Sequence, residues 1–99
     1  MKFYHATTLE NMDGIVTSGT VKSGCDGMVY LCTDPIDACK FLVIRGEREP
    51  WVIEVDLNEE DVEESFDHSQ AFFKCKAYRH SGDIKLMGEE TVRRYTFKK

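Results

Sequence analysis

The segments Phe3-Tyr4-His5-Ala6-Thr7 and Met28-Val29-Tyr30-Leu31-Cys32 each set one polar, hydrogen-bonding side chain inside an apolar, strand-like run, and each leads to a threonine that can open a helix. A strand with a lone His, a helix, a strand with a lone Tyr and a second helix predict a cleft assembled from parts far apart in the chain. The pattern around these segments is consistent with that plan. Thr7-Thr8-Leu9-Glu10 has the Thr-x-x-Glu spacing of a capping box, in which side chain and backbone satisfy each other's exposed groups at a helix start. Leu9, Met12, Ile15 and Val16 then recur at helical spacing and Gly19 supplies a left-handed stop, predicting a helix from about Thr8 to Ser18.

Between the first helix and Met28, the run Lys22 to Gly27 is turn chemistry with two glycines. Thr33-Asp34-Pro35 predicts a second helix start, because Asp caps well and Pro fits the first helical position, where its missing N–H costs nothing. Ile36, Cys39, Phe41, Leu42 and Ile44 make that helix largely buried until Gly46. Trp51 to Leu57 alternates cleanly as a strand. Asn58 is expected to cap an acidic turn ending near Ser65. Phe72 to Arg79 alternates again, with Tyr78 on the face of Lys74 and Lys76. Further strands are predicted over Asp83 to Met87 and Thr91 to Phe97, after a turn at Ser81-Gly82. This order of elements predicts one α+β domain over residues 1–99, with a mixed or antiparallel sheet.

Composition narrows the function classes. The chain has 99 residues and a net charge of −5, too small for two domains and too acidic for general nucleic-acid binding. Its charge is segregated: residues 54–67 hold eight acids and no Lys or Arg, whereas residues 68–99 hold eight Lys or Arg and three acids. No stretch approaches the roughly 20 apolar residues of a membrane span, and the N-terminus lacks a signal-peptide pattern. A soluble, cytoplasmic protein is expected. Cys25, Cys32, Cys39 and Cys75 lack the two-residue spacing of a zinc knuckle, so the expectation is reduced structural thiols and no metal.

The runs Tyr4-His5-Ala6-Thr7-Thr8-Leu9-Glu10-Asn11, Gly27-Met28-Val29-Tyr30-Leu31-Cys32-Thr33 and Tyr78-Arg79-His80-Ser81-Gly82-Asp83-Ile84 resemble, in order, the landmarks of small ADP-ribosyltransferase-like domains of the His-Tyr-Glu type. The resemblance implies a compact split β-sandwich with two short helices, gripping NAD in a crevice. It implies that His5 bonds a ribose hydroxyl and the nicotinamide amide, and that Tyr30 stacks on the nicotinamide ring. Thr7, Tyr78 and His80 are the further candidates for the nucleotide-binding crevice. The chain departs from the family in two places. Ala6 stands where a glycine usually lies beside the histidine, and Phe72 to Arg79 has no carboxylate to match the late-strand Glu that neutralises positive charge developing on the ribose.

Other readings stand beside this one. His5 is also readable as a strand histidine satisfied by backbone, and Tyr30 as an aromatic at the edge of the core. Arg45 reads as a cation placed favourably at a helix C-terminus. Asp67-His68-Ser69 has the composition of a hydrolytic triad but reads as a turn. The acidic run reads either as a solvated turn or as a lure for a basic surface, with Glu59, Glu60, Glu63 and Glu64 contacting a partner protein. Two functions are therefore expected in competition. One is a minimal NAD-binding or nucleotide-binding domain. The other is a catalytically inactive small acidic inhibitor, of the kind phages encode, that blocks a partner or sequesters a nucleotide signal. In a third arrangement the basic strand with Arg93 and Arg94 faces the crevice and serves nucleic-acid modification.

Overall fold

A computed structural model describes residues 1–24, 27–64, 77–88 and 90–97. Strand β1 (Lys2–Thr7) leads into helix α1 (Leu9–Ser18), followed by β2 (Thr20–Val21), β3 (Met28–Cys32) and helix α2 (Pro35–Val43). Then come β4 (Trp51–Asp56), a 3-10 turn (Glu59–Asp61), β5 (Val62–Glu64), β6 (Ala77–Ser81), β7 (Ile84–Lys85) and β8 (Thr91–Arg94). Six strands form one sheet in the order β5-β6-β3-β1-β4-β8, every neighbouring pair antiparallel, and β2 pairs with β7 in a small second sheet. The α+β class is therefore as expected. Among the described residues no helix is long and apolar enough to cross a membrane.

Strand alternation sorts the side chains into two layers. Phe3, Val29, Leu31, Ile53 and Val55 face α1 and the small sheet, where Met12, Ile15, Val21 and Ile84 complete the main core. On the other face Cys32, Ala77, Tyr4 and Ala6 pack with Ala38 of α2. Phe3 is fully buried, and its ring meets Tyr78 edge-on at 5.3 Å between centroids and 68° between planes. Cys32 and Cys39 are both buried, and burial pushes the Cys39 thiol up to about 11.

The helix ends follow local chemistry, with one shift. Asp34 caps α2 by accepting from the amides of Ile36 at 2.8 Å and Asp37 at 3.3 Å, and Pro35 takes the first position. Gly19 closes α1 at φ +70°, a conformation that glycine adopts without steric cost. The N-cap of α1, however, is Thr8 rather than Thr7: its hydroxyl accepts from Asn11 N–H at 3.3 Å. The reason lies in the sheet, since β1 pairs with β4 as far as Thr7 opposite Trp51 and so holds Thr7 extended.

Other boundaries also move. The segment after Asn58 is a single 3-10 turn that makes no side-chain cap to Asn58 and passes directly into β5, because Val62 to Glu64 pairs with β6. Of the predicted strand Phe72 to Arg79, residues 72–76 lie outside the described residues, and β6 continues to Ser81. Strand β8 stops at Arg94, although Tyr95 N–H donates to Pro50 O and Phe97 N–H to Arg48 O beyond it. The segments Asp67-His68-Ser69, Cys25 and Cys75 also lie outside the described residues.

Candidate functional site: a cleft where two central strands part

Strand β1 bonds to β4 along its whole length, from Lys2 opposite Asp56 to Thr7 opposite Trp51. Its other neighbour, β3, meets it at Tyr4 opposite Cys32, and past that rung the two strands diverge. A fork between central strands exposes backbone carbonyls that a continued ladder would have satisfied, and an unmet buried carbonyl is costly. His5 meets one of them: its Nδ1 lies 3.0 Å from the carbonyl oxygen of Tyr30. A carbonyl only accepts, so Nδ1 carries the proton and donates, leaving Nε2 of the neutral ring as an acceptor. Burial holds the His5 pKa below the usual imidazole value, with the carbonyl bond pulling weakly the other way. The ring at the fork is accordingly neutral at physiological pH.

The fork opens into a cleft of about 820 Å³ between α1 and the strand ends, lined among others by His5, Thr7, Glu10, Asn11, Tyr30 and Arg45. A smaller hollow of about 220 Å³ continues on the α2 face, and His5, Ala6, Tyr30 and Arg45 line both. The register explains the two compartments. Tyr30 is two residues from Cys32 and shares its α2 face, whereas His5 shares the α1 face of Phe3. The imidazole reaches Tyr30 through its backbone carbonyl, so the two side chains lie on opposite faces of the sheet while both residues line the two hollows.

Of the residues singled out from sequence, the structure brings together His5, Thr7 and Tyr30. It sets Tyr78 and His80 apart. Their face of β6 pairs with Leu31 and Val29, so it looks into the main core and not into the cleft. Tyr78 packs on Phe3, and His80 Nδ1 lies 3.1 Å from the carbonyl of Gly82. This register separates Tyr78 and His80 from the other crevice candidates; Lys74 and Lys76, expected on the same face, lie outside the described residues. Ala6 lines the cleft, as its place beside His5 requires.

Glu10, Lys22 and Arg45 line the cleft without having been singled out for it. Glu10 was legible as a residue of the first turn of α1, one helical step from the His5 strand. Arg45 was read only as a helix-end cation; its backbone N–H bonds to Leu42 O at 3.0 Å, just past α2, which puts its side chain at the mouth of both hollows. Lys22 is placed by a contact distant in sequence. Asp83 accepts from the backbone N–H of neighbouring Ser23 at 2.8 Å and from its hydroxyl at 2.9 Å, tying the β2–β3 loop to the turn before β7. These two bonds hold the Asp83 carboxyl below the usual carboxylate range.

The acidic residues proposed for partner contact lie elsewhere. Glu59 and Glu60 are exposed on the 3-10 turn, Glu63 is bridged to Arg79 at 2.9 Å, and Glu64 is half-buried opposite Tyr78. Among the described residues no group of three or more His, Cys, Asp or Glu side chains is placed to hold a metal ion. The chain matches no family model, and comparison with curated proteins and with solved structures returned no match.

Proposed function

We propose that the cleft at the β1–β3 fork binds NAD or a related nucleotide. The observation that carries this reading is the His5 imidazole, fixed in one tautomer at the fork with Nε2 as an acceptor, in a cleft that also holds an aromatic residue and two cations. An acceptor nitrogen suits a ribose hydroxyl or an amide N–H. Tyr30, whose ring lies on the α2 side of the sheet, borders the smaller hollow as well as the cleft, and Arg45 and Lys22 supply the positive charge that a diphosphate needs. A volume of about 820 Å³ lies within the usual range for cofactor sites. The resemblance in the order of the His and Tyr landmarks points the same way.

Binding is the proposed function, without ribosyl transfer. Glycosidic cleavage calls for a carboxylate beside the ribose carbon; β6 from Ala77 to Ser81 carries none, and Glu10, the carboxylate that lines the cleft, comes from α1 and not from the late strand where the resemblance places it. Isothermal titration with NAD and with ADP-ribose tests the reading. Saturable heat is expected from at least one of them and its loss in His5→Ala; no heat from either at about 1 mM, where an interaction of about −4 kcal/mol is half-saturated, refutes it.

A second reading, an acidic module that blocks a basic partner, is supported by the exposure of Glu59 and Glu60 beside the β5 edge. Glu59→Lys with Glu60→Lys would abolish partner capture under this reading and leave nucleotide binding unchanged. The pair spares Glu63, whose reversal would also break the Arg79 bridge.

A further inference from the structure

We propose that a second hollow, on the α2 face of the sheet, binds a small organic anion carrying a flat ring, such as an aryl phosphate. It shares no lining residue with the main cleft and only Tyr4 with the smaller hollow, so it is tested independently of nucleotide binding in the cleft. Its floor comes from alternate positions on three adjacent strands. Tyr4 of β1 lies opposite Glu54 of β4, which lies opposite Thr91 of β8, and Arg93 lies two residues along on the same face, opposite Val52. Pro35, at the start of α2, and Tyr95, just past β8, complete the wall.

The charges inside this hollow are already partly settled. Glu54 accepts from the Tyr4 hydroxyl at 3.0 Å through Oε1, and its Oε2 lies 3.6 Å from Lys2 Nζ. The carboxylate is thereby neutralised by its neighbours, and Asp34 nearby spends its Oδ1 on the first amides of α2. Arg93 has no ion pair among the described residues and is exposed. The uncompensated group is therefore a guanidinium, whose planar fork of donors matches a phosphate or carboxylate. Around it stand two tyrosines, a proline and Val52, surfaces that favour a ring. The volume, about 390 Å³, suits one ring-bearing anion and is under half that of the main cleft.

The test is a proton–nitrogen NMR titration of the whole chain with phenyl phosphate and, separately, with inorganic phosphate. Phenyl phosphate should move the amides of Tyr4 and Thr91 to Tyr95 saturably, roughly tenfold more tightly than inorganic phosphate. Arg93→Gln should weaken it by about tenfold or more, the loss of one charge-assisted contact. Tyr95→Ala provides a second arm at the opposite wall and should remove the preference for the aryl ligand over inorganic phosphate. The proposal is overturned if these amides do not respond, if both ligands act equally on the native chain, or if Arg93→Gln binds as the native chain does.

Discussion

Replacing His5 by Gln should flatten the dependence of folding stability on pH between about pH 5 and 7. In the folded chain the imidazole is neutral, because burial opposes its charging and its Nδ1 proton is committed to the Tyr30 carbonyl. In the unfolded chain it titrates near 6.5. The folded pKa is the lower of the two, so between them the unfolded state binds the extra proton. Stability from this group is complete above the unfolded value and is lost as the pH falls toward the folded one. The limiting slope is about 1.4 kcal/mol per pH unit, so acidification from pH 7 to 5 costs at most about 2 kcal/mol, against a typical total of about 5–15 kcal/mol. Gln keeps an N–H to offer the carbonyl but has nothing to titrate. Urea unfolding of both proteins across this range would give the difference directly, with His80 and His68 common to both. Parallel loss of stability in the two proteins would show that the ring at the fork is not a buried neutral donor, and the site as described would fail with it.

Phe3→Ala should destabilise the fold by about 3–5 kcal/mol in the same unfolding assay, since the ring is fully buried and seats Tyr78 against the core. Asp34→Ala removes the acceptor for two first-turn amides of α2 and should cost about 0.5–2 kcal/mol, read as a lower urea midpoint with an unchanged slope.

Local chemistry made several elements legible. Met28 to Cys32 forms a strand with the expected ends, Asp34-Pro35 starts α2, and Gly19 closes α1, because alternation, capping and positive φ act over a few residues. The errors fall where a distant strand competes with a local signal. Thr7 had capping-box spacing, but pairing with Trp51 kept it in β1; the acidic segment read as a turn, but β6 drew Val62 to Glu64 into the sheet. Strand β2 went unread because two residues carry no period, and Thr20-Val21 is a strand only by virtue of Ile84-Lys85 across from it.

The same division runs through the site. His5, Thr7 and Tyr30 were identifiable as polar groups within or ending apolar strands, an anomaly visible in any single segment. Which of the candidates meet was decided by register: a strand's period of two sends Tyr78 and His80 to the core face, and it leaves His5 and Tyr30 on either side of a fork. Short-range sterics and hydrogen bonding set the class of fold, the Asp34-Pro35 start of α2, the Gly19 stop of α1 and the unusual polar residues. Only the tertiary structure placed Arg45, Glu10 and Lys22 around the cleft, because their positions depend on where helices end against strands many residues away.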